Sequence, residues 1–315
     1  MCKSKLIFES YLFRRLLLAV GTIFCIATVT FILMKLAPGD PFQDERGIPT
    51  ECLTALRSFY GLDDPLHLQY FRYLKSVFSF DFGPSLKYPG QNVNDIIKDS
   101  FPISAILGLE ALLLAIPAGI LLGTFSALTS KSLYRHSTLT LAILGISLPG
   151  FVIASALQFF LAVHFPIFPI ARWGSFSHTI LPAIALAIGP ACMIFRLLYA
   201  SILEVVNQQY VHTAYVKGLQ KSEIRIFHIL KNALLPILSY LGPVTTNILV
   251  GSFVVERIFA IPGLGQWFVN GVTSRDYAII GALTLFYSVI LLAMHTLIDL
   301  LNIKLDPRMR TSHAQ

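Results

Sequence analysis

Charge is what this chain has least of. Only 13% of its 315 residues are Asp, Glu, Lys or Arg, about half the share typical of a soluble globular chain. Hydrophobic residues make up 55% and the mean hydropathy is +0.69, so too little polar surface is available to face water on all sides. A soluble domain is excluded and an integral membrane protein is indicated. The 24 Lys and Arg against 17 Asp and Glu give a net charge of +7, but the cations are spread along the chain and flank apolar runs. That pattern belongs to membrane topology rather than to nucleic-acid binding.

Chemical motifs are equally scarce. The cysteines, Cys2, Cys25, Cys52 and Cys192, are scattered without a C-x-x-C, which gives neither a disulfide framework nor a metal site. The histidines lack metal spacing, and neither H-E-x-x-H nor a paired-carboxylate site occurs, which argues against a membrane hydrolase. Ser147 in GISLPG has the wrong spacing for a nucleophile elbow. Asp81–Gly83 reads DFG but stands without any other kinase element, and IPGLGQ at Ile261–Gln266 is a turn rather than a dinucleotide fingerprint. No G-x-x-x-x-G-K-[ST] is present, so ATP has no phosphate loop here.

What is there is a series of apolar runs long enough to cross a hydrocarbon core about 30 Å thick. They lie at 14–36, 102–128, 137–164, 178–203, 234–256 and 278–303. The first follows Arg14 and Arg15 as a signal peptide would, but Leu16–Met34 has no charge over about 28 Å of helix and no small-residue cleavage site follows. It is read as a retained span. Each run is expected to be helical, because a backbone facing lipid must satisfy its polar groups internally. Pro149 and Gly150 are expected to bend the third span, as suits a helix that moves.

Counting Lys and Arg in the short flanks puts fourteen on the side of both termini and four (Lys35, Arg172, Arg257, Arg275) on the other. Both termini are therefore expected in the cytoplasm. The segment 37–101 is then external. Within it Leu53, Leu56 and Phe59, then Leu68, Phe71, Leu74 and Phe78, recur at helical spacing, and Asp64 before Pro65 makes a helix start. Two short amphipathic helices are expected, their apolar faces forming the core of a small cap. Glu110, about 12 Å into the second span, is the clearest ionisable group at membrane depth. It is read as a structural group bonded to a neighbouring helix or a polar lumen, because an ion-coupled carrier needs several such groups.

Between the fourth and fifth spans the chain reads YVHTAYVKGLQKSEIRIFHILKNALLP, Tyr210–Pro236. Val206, Tyr210, Thr213, Ala214 and Lys217 fall three or four apart and predict a short helix with a small, partly apolar face, ended by Gly218 at positive φ. Ser222 is expected to cap a second helix carrying Ile224, Phe227, Ile229, Leu230 and Leu234 back to the bilayer before Pro236. Such a pair either docks into another protein or simply connects two spans.

These residues resemble the cytoplasmic loop of permease subunits in binding-protein-dependent ABC importers. HTAYVKGL, His212–Leu219, stands where the oligopeptide and dipeptide branch has R-T-A-x-A-K-G-L, with His212 and Val216 departing from it. LAPGDP (36–41), YGLDDPLHLQYFRYL (60–74), FDFGPSL (80–86), VVERIFAIPGLGQ (254–266), RDY (275–277), NALLP (232–236) and LDPRMR (305–310) are similar to the B-type subunits of that branch in the same order, with Pro84 and Ala278 as departures. The resemblance implies an all-α integral membrane protein of six transmembrane helices with the type I ABC importer (MetI-like) permease fold and a partly helical external segment. It divides the chain into 1–100 (first span and external segment), 101–305 (transmembrane core with coupling loop 204–235) and a tail at 306–315.

It further implies a second, homologous permease subunit as heterodimer partner, two cytoplasmic ATPase subunits that hydrolyse the ATP, an extracytoplasmic substrate-binding protein, and no cofactor bound by the chain itself. Tyr210, Val211, Thr213, Ala214, Lys217, Gly218 and Leu219 would couple to the ATPase, and Glu256, Pro262, Gly263 and Gly265 are the candidate external gate. Peptide import through the bacterial cytoplasmic membrane is the expected function. The same machinery in this branch also serves nickel chelates, glutathione or oligosaccharides. An ion-coupled secondary transporter is the rival class, and the scarcity of buried acids argues against it.

Overall fold

The structure, a computed structural model, describes residues 2–36, 50–249 and 253–305, with side chains for 14–36, 54–249 and 253–300. LAPGDP beyond Leu36, the tail 306–315 and the side chains of Cys2, Cys52 and Leu53 lie outside the described residues. The elements in order are α1 (Cys2–Leu36), α2 (Thr50–Phe59), α3 (Leu66–Ser79), α4 (Val93–Leu128), α5 (Ser132–Ser147), α6 (Gly150–Gln158) with a π-helical turn Phe159–His164, and α7 (Phe176–Val206). There follow α8 (Gln209–Val216), α9 (Lys221–Glu223), a π-helical turn Ile224–Leu230, α10 (Lys231–Ala233), α11 (Leu235–Leu249), α12 (Phe253–Ile258), α13 (Leu264–Ser274) and α14 (Tyr277–Leu305).

Among the described residues five stretches are long and apolar enough to cross a membrane as helices: Arg14–Leu36, Val93–Leu128, Phe176–Val206, Leu235–Ile258 and Tyr277–Leu300. The third run expected from sequence is not one straight helix. α5 and α6 meet at 102°. Leu148 is extended (ψ 127°) because the ring of Pro149 disfavours the helical region for the residue before it, and Pro149 (φ −58°) then starts α6. The bend read from Pro149 and Gly150 is thus a near right angle.

The chain forms two compact units, Met1–Pro102 with Gly263–Leu292, and Ile103–Pro262 with Ala293–Gln315. The second unit is organised around α7, which packs against α4, α5, α6, α11 and α12. Pro182 and Pro190 sit inside α7, and the core around it is rich in alanine (Ala154, Ala162, Ala183, Ala185). In lipid, close backbone approach rather than apolar burial drives such packing. Gly119 and Gly123 of α4 make that approach possible: a Cβ at Gly119 would stand 2.7 Å from the Ala191 carbonyl oxygen of α7, and one at Gly123 would stand 3.0 Å from that of Phe195.

In the first unit α2 and α3 are the two expected external helices. Their apolar side chains do not form a cap core. Phe59, Leu66, Leu68, Phe71 and Phe78 are exposed and α3 buries no residue. Instead the polar and aromatic face of α3 meets α1, where the Thr28 and Tyr70 hydroxyls lie 2.7 Å apart and the Phe31 and Tyr70 rings 5.2 Å apart. The buried centre of this unit is Val93, Ile96, Leu264, Ile279, Ala282 and Leu283. α4 begins at Val93, so its helix reaches nine residues into the segment expected to be external.

Candidate functional site

The loop between the fourth and fifth spans folds as a closed helical hairpin. α7 takes Val206 as its last residue, so the short helix begins at Gln209 rather than including Val206. α8 ends in a Schellman turn: the Leu219 N–H donates to the Ala214 carbonyl (3.3 Å) and the Gly218 N–H to that of Tyr215 (3.0 Å), with Gly218 at φ 75°. A Cβ at Gly218 would touch nothing within 4 Å, so the position demands a conformation rather than space. The return helix starts at Lys221, with Gln220 rather than Ser222 at its cap position. It widens into the π turn at Ile224. Ile224 and Ile229 would point about 140° apart on an α-helix, but the π turn, with five residues per bond, buries both. Asn232 Nδ2 donates to Tyr210 Oη at 3.1 Å and ties the two arms.

This geometry sorts the seven residues read as contacts to an ATPase. Val211 and Ala214 are buried, packed among Ile194, Leu198, Ile202, Ile224, Ile229 and Ala233, so they are not on the free surface of the hairpin. They form its spine, and the alanine is small because α8 lies close to the return helix. Tyr210, Thr213, Lys217 and Gly218 are exposed and Leu219 is half-buried. The most protruding apolar side chain is Val216, 89% exposed, which the sequence reading noted only as a departure from a smaller residue.

Glu110 lies on α4. The side chain is half-buried, and its Oε2 is enclosed and accepts no hydrogen bond from the described residues. Glu256, by contrast, is 0% exposed and accepts a hydrogen bond from Ser104 Oγ at 2.8 Å. α12 closes with a second Schellman turn, Ile261 N–H to Glu256 carbonyl (2.8 Å) and Ala260 N–H to Arg257 carbonyl (3.3 Å), with Ala260 at φ 50°. Pro262 follows that turn, Gly263 is the residue before α13, and Gly265 is buried in its first turn.

One constellation was missed from sequence. Asp276 of RDY is 0% exposed, and four donors converge on it. Oδ1 accepts from the Ala278 and Ile279 N–H groups (both 3.1 Å), so Asp276 is the N-cap of α14. Oδ2 accepts from Ser85 Oγ (2.5 Å) and from the Lys87 N–H (3.1 Å). RDY and FDFGPSL, quoted separately above, are therefore two halves of one buried joint. Tyr60 donates to the Ser85 carbonyl (3.2 Å), and its phenol is held above 10.0, first by burial and then by the negative charge of Asp276.

With the hairpin and the spans in place, comparison with known proteins is decisive. Residues 116–311 match the model of the binding-protein-dependent transport system inner membrane component, and residues 8–108 that of the N-terminal region of such membrane components. The chain belongs to this permease family. It is 45% identical over 300 residues to the dipeptide transport system permease protein DppB of Bacillus subtilis, covering 95% of this chain and 97% of that one. It is 38% identical over 302 residues to the oligopeptide transport system permease protein OppB of Haemophilus influenzae, covering 95% and 99%. The fold is similar to that in inward-facing structures of the MetNI methionine ABC transporter. One has a TM-score of 0.52 at 14% identity, covering 68% of this chain and 96% of that one. The permease fold of a type I importer is thereby established, with five apolar stretches of spanning length and one bent pair among the described residues.

Proposed function

We propose that this permease moves peptides across the cytoplasmic membrane, driven by ATP that partner subunits hydrolyse. The observation that carries the proposal is the hairpin: a rigid, glycine-terminated helix whose buried spine anchors it to α7 and whose outer residues are free to meet a partner. The named relatives, permeases of dipeptide and oligopeptide systems, support peptide as the cargo. In this reading two ATPases close on ATP, push the exposed residues Thr213, Val216 and Lys217, and transmit force through Val211 and Ala214 into α7, so that the cavity shared with a second permease changes its open side.

Orientation follows from the distribution of Lys and Arg, with both termini and the hairpin in the cytoplasm. An extracytoplasmic binding protein then delivers cargo from the opposite side. Glu110 keeps its structural reading, as a polar group bonded to a neighbouring helix or a polar lumen rather than a coupling group. The turn from Glu256 through Pro262 and Gly263 to Gly265 is kept as the external gate.

The test is co-expression with the cognate ATPases and second permease. Val216→Glu is expected to release the ATPases on purification and to abolish uptake, while the control Gln91→Glu, exposed and outside every span, leaves both intact. Retention of the ATPases and full uptake by Val216→Glu would refute the coupling role. Labelled dipeptides and tetrapeptides, compared with nickel chelates, glutathione and oligosaccharides, decide the cargo.

A further inference from the structure

α3 carries large apolar side chains that the protein leaves uncovered: Phe71 is 65% exposed, Phe78 68%, and Phe80, just past its end, 70%. What lies against them follows from where α3 meets α1. Leu16–Met34, the charge-free part of α1, is about 28 Å long, close to the thickness of a hydrocarbon core, and its midpoint is Cys25. The Thr28 hydroxyl lies 2.7 Å from that of Tyr70, and Thr28 is only about 5 Å along the helix from that midpoint. Phe31, whose ring meets those of Tyr70 and Tyr73, is about 9 Å from it. Half a hydrocarbon core is about 15 Å, so α3 grips α1 at a level inside the bilayer.

Two cavities beside α3 show which way its flanks point. Gln69, Arg72, Tyr73 and Ser76 line one of about 320 Å³, together with Met34 and Lys35 near the end of α1. Leu74, Val77 and Phe78 line the other, of about 370 Å³, together with Val20, Phe24 and Ala27 around the middle of the span. Each set recurs at three- and four-residue spacing, and the two stripes stand about 140° apart on a helix of 3.6 residues per turn. They overlap along α3, so its flanks differ rather than its ends. The polar flank faces the Lys35 end of α1, and the apolar flank faces the middle of the bilayer. Gln69 Nε2 donates to the Leu62 and Asp64 carbonyls and Arg72 pairs with Asp64 at 2.6 Å, which places the polar turn before α3 on that same side. Phe71 falls about 20° from Phe78 around the helix, on the apolar flank. Lys75, exposed between the two flanks, has a stem long enough to return its ammonium to the polar side.

We infer that α3 is an interfacial helix lying in the leaflet at the Lys35 end of α1, its Phe71–Phe78 flank covered by phospholipid acyl chains and its Arg72–Ser79 flank by headgroups and water. The apolar flank is already level with hydrocarbon, so acyl chains cover it without desolvating any polar group and supply the dispersion contacts that a void there would forfeit. The external segment is then moored to the bilayer as well as to α1, and the loop carrying Ser85, six residues past the end of α3, is held at a set height. The inference depends neither on the cargo nor on the direction of transport.

The test uses the purified full chain in phospholipid vesicles, with its four cysteines replaced by alanine and one nitroxide-labelled cysteine introduced at a time: Phe71→Cys, Phe78→Cys, Arg72→Cys or Ser79→Cys. Relaxation by oxygen, which concentrates in hydrocarbon, is compared with relaxation by a water-soluble nickel complex. Exposed Leu18 of α1 gives the hydrocarbon reference and exposed Gln91 the aqueous one. Labels at 71 and 78 are expected to relax as at Leu18, at a depth of about 5–10 Å below the headgroups, and labels at 72 and 79 as at Gln91. A photoreactive residue in place of Phe71 is expected to crosslink to lipid in native membranes, where any partner protein is also present. Nickel-dominated relaxation at 71 and 78 would overturn the inference, because water would then cover that flank. Oxygen-dominated relaxation at 72 and 79 would equally overturn it, as would crosslinking of position 71 to another polypeptide.

Discussion

Asp276→Asn separates a structural joint from an incidental hydrogen-bond cluster. The carboxylate is fully buried and accepts from the Ala278, Ile279 and Lys87 N–H groups and from the Ser85 hydroxyl. An asparagine in the same rotamer keeps one carbonyl oxygen, which retains the two α14 amides, and turns the other oxygen into an NH2 facing the Lys87 N–H. The Lys87 N–H keeps its bond to Ser85 Oγ at 3.2 Å but loses the carboxylate and meets a like donor instead, which costs about 1–3 kcal/mol. Hydrogen bonds to an ionised acceptor are roughly twice as strong as neutral ones, so the surviving bonds weaken as well, and a total of about 3–4 kcal/mol is expected. Ser85→Ala removes one donor and leaves the charge, for about 1–3 kcal/mol. A double-mutant cycle should give a coupling of about 0.5–3 kcal/mol, since the two side chains share one bond. Unfolding of the purified chain in mixed micelles by a denaturing detergent measures the free energies, and hydrogen exchange reads the Lys87, Ala278 and Ile279 amides directly. Stability within about 0.5 kcal/mol of wild type, the range of an ordinary surface substitution, would refute the reasoning, as would unchanged protection of those amides.

Three further outcomes follow from the same geometry. Gly218→Asn should retain most uptake and Gly218→Val should lose it, because asparagine tolerates the left-handed region at φ 75° whereas a bulky L side chain there is strained by about 1–2 kcal/mol; equal uptake by both would show that the turn is not needed. Gly119→Ala should destabilise the α4–α7 contact by about 1–3 kcal/mol through overlap with the Ala191 carbonyl, while Gly21→Ala, which has nothing within 4 Å, should cost little in the same unfolding assay. Tyr60 should hold its proton above the ordinary 10.0; the folded chain then binds a proton that the unfolded chain releases, so stability is constant below that pH and falls as pH rises above it. Asp276→Asn should move the Tyr60 titration only part of the way back in isotope-labelled tyrosine NMR, because burial is the larger cause.

Much of this protein is legible in one dimension because a membrane imposes one-dimensional rules. Run length fixes the spans, since every lipid-facing amide must be bonded within its own helix, and flank charge fixes the expected orientation. The glycine at 218 is a local signal too: the turn it makes involves residues within five positions of it. GILLG at Gly119–Gly123 was equally readable as a close-packing pattern, and only the structure drew attention to it.

Other features had no local signal. The amphipathic stripe of α3 is real, but which side of it meets the protein depends on α1, and the apolar side is the one left exposed. Helix geometry sets Ala214 and Val216 about 200° apart on α8, but which of them faces inward depends on the packing of α8 among Ile194, Leu198, Ile224 and Ile229. Ser85 and Asp276 are 191 residues apart, and no spacing rule links a loop serine to a distant helix cap. The sequence alone determined what the solvent enforces residue by residue: membrane class, helical spans and the glycine-ended hairpin. Tertiary structure decided which faces meet, because burial and hydrogen bonding depend on neighbours that chain order does not specify.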